Sequence, residues 1–336
     1  MAGSYYNSIL RINNQTGTSY TLSIADFNSD TITIMDNASA NTVTVPPSVF
    51  PIGAQLLVAQ EGLGQTSFVA GAGVTINAIG LSISSRYKTV ALIQVALNQW
   101  DAYGTLDVPS NLIMNLDAGN PLSYSGSGTT WTDLSGTGKN GTLVNGVTYS
   151  SSNGGVLVLD GTNDYISFGL GSYKSIFGIN TSFNCWVKYT SISGTSMAVF
   201  GDWNSAGTLE TARFSLNGYL NTPGSVGGYL IQAGATTGNV SSTTTILQNV
   251  WYNYCMTYDG TIEKLYVNGN QQATDTYSPI SITGGGNFTI GRSGDYNGGY
   301  APINIGIFQV YNKALTSTEV TANFNASKTR FGLWFI

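Results

Sequence analysis

Short runs in which hydrophobic and polar residues alternate fill the first hundred or so residues of the chain. An alternation with a period of two is the pattern of strands that turn one face toward a core. Glycine, proline, asparagine and aspartate separate the runs, and these residues favour turns. No repeat of fixed period is evident, so the pattern predicts a small antiparallel β-sandwich or barrel. The clearest runs are YTLSIAD, DTITIMD, NTVTVPP, AQLLVAQ and TVALIQVA.

The composition of the sequence changes across residues 104–110, after which glycine and asparagine become more frequent. We place a boundary there and assign residues 1–106 and 107–336 to two domains. In the second domain, Asn145-Gly146 and Asn268-Gly269 each separate two alternating runs. Asn-Gly readily adopts the two positive φ angles of a type I′ turn, so both pairs predict β-hairpins.

One segment, residues 315–328, has the pattern of a helix. Thr316 and Glu319 form a T-x-x-E capping box, in which each side chain can bond the backbone of the other residue. Val320 and Phe324 supply an apolar pair four positions apart, which lie on one face of a helix. The segment predicts one short C-terminal helix on a sheet protein.

The composition supports an all-β fold class. Charged residues make up 9% of the chain and glycine contributes 42 residues, which leaves little material for solvated helix faces and suits strands and tight turns. The net charge is −5 and no basic run occurs, which argues against nucleic acid as a partner. Histidine is absent, so Ser-His and Cys-His nucleophilic pairs and His-ligated zinc sites are excluded.

The first residues, MAGSYYNSILRI, lack the basic stretch followed by an apolar stretch that defines a signal peptide. No segment approaches the ~18 consecutive apolar residues of a membrane span. We therefore expect a soluble protein that is neither bound to a membrane nor exported by a signal peptide.

Cys185 and Cys255 are the only two cysteines, and each lies in a run that has the pattern of a buried strand. If Phe183, Cys185 and Val187 face the core, we expect the second strand to turn Tyr254 and Met256 inward, because side chains alternate along a strand. Cys255 then points to the opposite face. The prediction is two free thiols and no disulfide.

Six motifs, in family order, resemble the laminin G-like, concanavalin A-like jelly rolls. The resemblance covers about residues 111–332 and implies two antiparallel sheets, each of about six or seven strands, stacked face to face. It also implies that Trp131, Trp186 and Trp251 are packing residues. The motifs include LDGTNDYISFG, TSFNCWVKY, WYNYCMTYDGTIEKLYVNG and VYNKALTSTEV.

The first domain is similar to small all-β modules that recur in bacteriophage tail and virion surface proteins. The similarity covers residues 38–104 and rests on ASANTVTVPPSVFPIGAQLLVAQEGLGQTSFVAGAGVTIN, the Arg86-Tyr87 pair and NQWDAYG. Together with a C-terminal jelly roll, it implies a structural protein on the exterior of a virion, assembled in the host cytoplasm. Its expected partners are other virion proteins of capsid or tail and further copies of itself, with a homotrimer preferred.

The turn after LVLD carries a cluster of oxygen-bearing side chains, Asp160, Asn163 and Asp164. Calcium takes six to eight oxygen ligands, and a turn of this kind can supply three of them. In the resembled family a calcium ion often lies at the rim of the sandwich near this turn, although an acid commonly found just before the last strand is missing here, where the chain has Ile303-Asn304-Ile305-Gly306. The alternative is a hairpin in which Asp160 caps its own turn by accepting a backbone hydrogen bond.

Two loops have the composition of a sugar-binding site. Aromatic rings stack on sugar faces, while aspartate and asparagine bond to hydroxyl groups. The alternative is that these aromatic residues pack locally or lie on the surface. The candidate glycan contacts are Trp203, Asn204, Asp295, Tyr296 and Tyr300.

Catalysis is not expected. Glycosidases need two carboxylates about 5 to 9 Å apart across the sugar, and the nearest candidates, Asp259 and Glu263, lie across a turn. The sequence therefore favours a non-enzymatic phage protein that displays a lectin-like domain for adhesion to host surface glycans. A structural capsid or tail decoration is the alternative, and a polysaccharide depolymerase is the third hypothesis.

Overall fold

The computed structural model describes residues 11–27, 31–78, 80–83, 86–104, 111–169, 180–192, 197–201, 213–219, 225–231, 239–276, 287–292 and 298–333. For residues 213–219, 225–231 and 239 only the backbone is described. The chain divides into two compact units, residues 1–109 and residues 110–336.

The described part of the first unit contains ten strands in two sheets. Along the chain they are β1 (Arg11–Gln15), β2 (Ser19–Thr21), β3 (Thr31–Met35), β4 (Asn41–Val45), β5 (Gln55–Gln60), β6 (Thr66–Ala70), β7 (Thr75–Asn77), β8 (Ser82–Ile83), β9 (Lys88–Ala96) and β10 (Gln99–Gly104). A 3-10 turn at Ile24–Asp26 follows β2. The larger sheet has the order β1-β3-β5-β9-β10-β7 and the smaller sheet the order β2-β4-β6-β8.

Parallel pairing dominates the first half of this unit, so the predicted antiparallel arrangement is wrong there. Strands β1 to β6 alternate between the two sheets, and each therefore pairs with the strand two positions along the chain, which runs the same way. Pairs β1–β3, β3–β5, β2–β4 and β4–β6 are parallel. The alternation of hydrophobic residues shows which face is buried, but it does not show which strand is the neighbour.

The turn between β3 and β4 and the turn between β5 and β6 stack directly on one another. The backbone N–H of Gly64 donates to the carbonyl of Asn37 at 2.9 Å, and that of Asn41 donates to the carbonyl of Gln65 at 2.8 Å. A Cβ atom on Gly64 would overlap the backbone carbonyl of Ser39. Glycine is therefore required at position 64, where the two turns meet.

The core of the first unit lies between its two sheets. Trp100 is buried and meets Phe50 edge to face at 5.3 Å. The buried carboxylate of Asp26 accepts hydrogen bonds from the side chains of Asn13, Tyr20 and Thr33 and from the backbone N–H of Ser23. These bonds tie the 3-10 turn to the sheet edge.

The second unit is a sandwich of two antiparallel sheets. Its strands are β11 (Leu112–Asp117), β12 (Thr130–Trp131), β13 (Gly141–Val144), β14 (Thr148–Ser150), β15 (Val156–Asp160), β16 (Tyr165–Ser167), β17 (Thr181–Tyr189), β18 (Met197–Gly201), β19 (Arg213–Tyr219), β20 (Ser225–Ile231), β21 (Asn239–Ser241), β22 (Trp251–Tyr258), β23 (Ile262–Val267), β24 (Asn270–Thr276), β25 (Thr289–Ile290) and β26 (Pro302–Tyr311). A 3-10 turn lies at Ser152–Gly154.

Within the described parts of the chain, each of these sheets has eight strands, slightly more than the resemblance implies. One sheet has the order β14-β15-β26-β17-β22-β23-β24, with β11 also paired to β26. The other has the order β12-β13-β16-β25-β18-β19-β20-β21. The aromatic rings of Phe183, Phe200, Phe288 and Phe308 pack together between the sheets.

The predicted helix is confirmed. Helix α1 spans Ser317–Ser327, and Thr316 and Glu319 form the expected capping box. Phe324 of the helix and Phe331 after it stack on the buried Trp186, at 5.7 and 4.4 Å between ring centroids. Trp186 therefore packs outside the sandwich, under the helix, whereas Trp131 lies in the core between the sheets. No helix among the described residues is long and apolar enough to cross a membrane.

Only one of the two predicted Asn-Gly hairpins is correct. Asn268 and Gly269 have φ angles of 50° and 77° and join the paired strands β23 and β24. Asn145 and Gly146 also have positive φ angles, of 63° and 114°. However, β13 pairs in one sheet and β14 in the other, so this turn crosses between the sheets and closes no hairpin.

The predicted placement of the cysteines is confirmed. Both are buried and free. Cys185 lies in the core between the sheets with Tyr254 and Met256, whereas Cys255 lies in a separate apolar cluster with Tyr311. The two thiols occupy opposite faces of the same sheet, as the alternation along paired strands requires.

A row of buried amides crosses the outer face of this sheet. Gln309 donates to Asn115 at 3.2 Å, Asn184 donates to Gln309 at 3.0 Å, and Asn253 donates to Asn184 at 3.0 Å. The four side chains come from the neighbouring strands β11, β26, β17 and β22 and are all buried. The row fixes the register of these strands, because sliding one strand along its neighbour would leave buried amides without partners.

Candidate functional site

The turn at residues 160–164 passes from one sheet of the second unit to the other, since β15 and β16 belong to different sheets. The interpretation as a hairpin is therefore wrong, although the predicted capping by Asp160 is confirmed. Its Oδ1 atom accepts from the backbone N–H of Thr162 at 2.7 Å and of Asn163 at 3.4 Å. Gly161, with a φ of 77°, lies against Pro302, where a Cβ atom would collide.

The two acids of this turn differ in their environment. Asp160 is exposed, and the hydrogen bond from Thr162 lowers the pKa of its carboxyl group. Asp164 is only 4% exposed, and its Oδ2 atom accepts from the backbone N–H of Asp160 at 3.3 Å. Burial, together with the nearby charge of Asp160, raises the pKa of Asp164 despite this hydrogen bond. The folded protein therefore resists a second negative charge at the turn.

Three neighbouring segments surround the turn. Asn145 Nδ2 donates to the carbonyl of Asn163 at 3.0 Å. The guanidinium of Arg292, two residues after β25, lies 3.7 Å from the ring centroid of Tyr165. Ala301 N–H donates to the carbonyl of Gly291 at 2.9 Å. We call this end of the sandwich the rim and define it as residues 145–146, 160–165, 291–292 and 298–302.

Of the five candidate glycan contacts, Tyr300 lies within the described residues. It is half-buried and directly precedes the pair Ala301-Pro302 that packs on the 160–164 turn. The structure therefore brings the predicted metal turn and one predicted glycan residue to the same rim. Trp203, Asn204, Asp295 and Tyr296 lie outside the described residues and remain predictions.

Sequence reasoning did not single out Arg292. This residue is 8% exposed and stacks on Tyr165, so a cation is fixed at the rim beside the acidic turn. The available signal was an arginine in a chain with only 9% charged residues. Its stacking partner lies far along the chain, and no local pattern connects the two.

The turn alone supplies few ligands for calcium. Asp160, Asn163 and Asp164 give three side chains, whereas calcium takes six to eight oxygens. Oxygen atoms of Asp160 and Asp164 already accept backbone hydrogen bonds. Across the described parts of the chain, no group of three or more His, Cys, Asp or Glu side chains could hold a metal ion. An ion at the turn would need additional oxygen donors, and calcium remains a prediction.

The pair considered for catalysis does not form an open site. Asp259 Oδ1 accepts from the backbone N–H groups of Thr261 and Ile262 at 2.9 and 2.7 Å and so caps the turn between β22 and β23. Glu263 is fully buried and shares the inward face of β23 with Leu265. A solvent-borne polysaccharide cannot reach both carboxylates.

Comparison with known proteins agrees with this fold. Residues 159–321 match a family model described as the concanavalin A-like lectin/glucanases superfamily. Residues 159–321 of the second unit therefore form a concanavalin A-like domain, and α1 is the single α-helix among the described residues of this unit. No curated protein matches the sequence.

Three solved structures are similar in outline. Domain 4 of AbnA, an extracellular arabinanase from Geobacillus stearothermophilus in complex with arabinotriose, is 19% identical, with a TM-score of 0.48; the alignment covers 65% of this chain and 98% of that chain. The receptor binding domain of a botulinum neurotoxin C/D mosaic serotype is 16% identical, with a TM-score of 0.48 and coverage of 64% and 51%. The binding domain of Paraclostridial Mosquitocidal Protein 1 is 16% identical, with a TM-score of 0.49 and coverage of 64% and 52%.

Proposed function

We propose that the second unit is a non-enzymatic lectin module that binds glycans at its rim. The observation that carries this proposal is that Tyr300 directly precedes the pair Ala301-Pro302, which packs on the hydrogen-bonded turn at residues 160–164. The Tyr300 segment is held to β25 by the Ala301–Gly291 hydrogen bond and to the 160–164 turn by the contact of Pro302 with Gly161. An aromatic ring beside fixed polar groups is the arrangement that stacks on and bonds to a sugar.

The similarity of residues 38–104 to virion modules supports display of the lectin on the exterior of a phage particle, with the first unit docking to the particle or to further copies, preferably as a homotrimer. Many copies on one particle would raise the avidity of weak sites, so no single deep pocket is needed. A calcium ion at Asp160, Asn163 and Asp164 would hold the rim rigid.

The rival functions make different predictions. A capsid or tail decoration would bind the particle and no glycan. A depolymerase would release reducing ends from host polysaccharide, but the burial of Glu263 argues against the acid pair that this activity would use.

A glycan array with the full chain tests the proposal. We expect binding by the wild type and a loss of about tenfold in Tyr300→Ala, since one aromatic contact contributes about 1–1.5 kcal/mol. Tyr149→Ala is the matched control, because Tyr149 is also a surface tyrosine of this unit, 36% exposed, but lies on β14 and outside the rim. Thermal melting of each variant shows that it folds. An array with no bound glycan, or an equal loss in both variants, contradicts the proposal.

A further inference from the structure

The outward face of the six-stranded sheet in the first unit carries an apolar row that runs across five strands. The residues are directly paired from strand to strand: Ile12 with Ile32, Ile32 with Leu57, Leu57 with Ala91, and Ala91 with Tyr103. Their chain neighbours, including Leu56, Val58, Val90 and Leu92, point the other way into the core. We call these five residues the apolar row.

The row is open to solvent rather than buried. Ile12 is 66% exposed, Leu57 37% and Tyr103 54%. Val95 on the same face is 45% exposed. With the half-buried Ile32, Ala91 and Ile93, these side chains expose on the order of 500 Å², a patch near the upper end for a monomer.

The other sheet of the same unit shows that this chemistry is not general. On its outward face the corresponding strand-to-strand row is Ser19, Thr42, Ser67 and Ser82. Both sheets alternate with the same period and enclose the same core, yet this row of the smaller sheet presents hydroxyl groups, whereas the row of the larger sheet presents apolar side chains. The difference marks the six-stranded face as a contact surface.

The charges on this face indicate what covers it. Among the described outward positions of the sheet, Asp101 is the one charged side chain, and it is bonded to Asn77 at 2.8 Å and to Tyr103 at 3.3 Å. The row offers no charge or donor array to an ionic partner, whereas an identical apolar row is its natural complement. The exposed area of the row together with Val95 and Ile93 is more than half of the roughly 800 Å² that each partner contributes to a standard interface.

We propose that copies of this chain associate through the apolar row, so that the six-stranded sheets of the first unit pack against one another. This deepens the assembly part of the proposed function and does not depend on glycan binding. It also identifies the surface through which several copies of the chain assemble, and the proposed avidity for glycans requires several copies.

The test is the mass of the full chain in solution, measured by light scattering over a range of micromolar concentrations. We expect the wild type at two or three times its monomer mass of 35.4 kDa, and the variants Leu57→Glu and Ile12→Glu at monomer mass. Val69→Glu is the matched control, because Val69 is 44% exposed on the outward face of the smaller sheet, and it should remain associated. Ile12 lies on an edge strand, so its variant remains informative if Leu57→Glu fails to fold.

Circular dichroism and thermal melting identify the variants that fold. A monomeric wild type would overturn the proposal and leave the face to a different protein. An oligomer that persists in both folded row variants, or that Val69→Glu disrupts equally, would also overturn it.

Discussion

The Nη1 atom of Arg330 lies 2.7 Å from Oδ1 of Asp117, which joins the C-terminal segment to the first strand of the second unit. The same guanidinium donates to the carbonyls of Asn153 and Gly155, each at 2.7 Å, and lies 4.9 Å from the ring centroid of Phe331. The Arg330 side chain therefore connects three segments of the second unit, namely its own C-terminal segment, the end of β11 and the turn at residues 153–155.

Replacing Arg330 should destabilise the second unit. Arg330→Ala removes a partly buried ion pair and two hydrogen bonds to carbonyls, so we expect a loss of about 1–3 kcal/mol in the free energy of unfolding by urea. Lys313→Ala is the control, because its ion pair with Glu319 is more exposed and should contribute less than about 1 kcal/mol. Equal losses in the two variants would show that Arg330 does not hold these segments together.

The two cysteines should be free but protected. Burial raises the pKa of both thiols, and the thiolate is the reactive form. We expect no reaction with a thiol reagent in the folded protein at neutral pH, and two reactive thiols after denaturation without a reductant. Two thiols that remain unreactive under denaturing conditions would indicate a disulfide and would contradict the observed faces.

Local patterns predicted much of the second unit. The capping box of Thr316 and Glu319, the turn at Asn268-Gly269 and the opposite faces of the two cysteines each depend on residues a few positions apart. Contacts between distant segments could not be predicted in this way. Arg330 and Asp117 lie 213 positions apart.

The errors have a common physical cause. A period of two fixes which side chains face the core but is the same for parallel and antiparallel neighbours. Asn145-Gly146 adopts the expected positive φ angles, but these angles also suit a turn that crosses between sheets. At the rim, Tyr300 could be named from composition, whereas its proximity to the 160–164 turn follows only from the pairing of β15 with β26.

Asp133 should make the second unit sensitive to acid. Burial opposes its charge, but hydrogen bonds from Asn115, Ser135 and Lys139 outweigh burial and hold its pKa below the ordinary value of 3.8. A lowered folded-state pKa stabilises the protein above pH 3.8, and this stability is lost as the pH falls toward the folded-state value. We expect Asp133→Asn to unfold more easily in urea at pH 7 and to lose less stability between pH 5 and about 3. The exposed Asp275→Asn should retain the wild-type stability in urea at pH 7, and a wild-type pH profile in Asp133→Asn would contradict the role of these bonds.

Calcium at the rim should act through Asp164. Without an ion, the raised pKa of Asp164 means that its charge opposes folding as the pH rises above 3.8, so Asp164→Asn should melt no lower than the wild type in a chelator. Calcium bound at the proposed site would relieve that repulsion, and we expect it to raise the melting temperature of the wild type but not of Asp164→Asn. A wild-type melt that is the same with calcium and with chelator would leave the turn held by hydrogen bonds alone.

The stacked turns of the first unit provide a test of its parallel layers. Gly64 lies directly against the backbone of Ser39, in the turn between β3 and β4. Hydrogen bonds between the two turns hold that backbone in place, so neither turn can move aside for a methyl group. Gly64→Ala should therefore cost about 1–3 kcal/mol, the range for an overpacked site. In hydrogen exchange measured by mass spectrometry, peptides from β3 to β6 should lose protection.

Gly17→Ala is the matched control, because Gly17 also lies in a turn but has no atom closer than 3.6 Å to the position that a new methyl group would take, and no left-handed φ. If the two variants exchange alike, the turns do not stack, and the parallel pairing of these strands would be wrong.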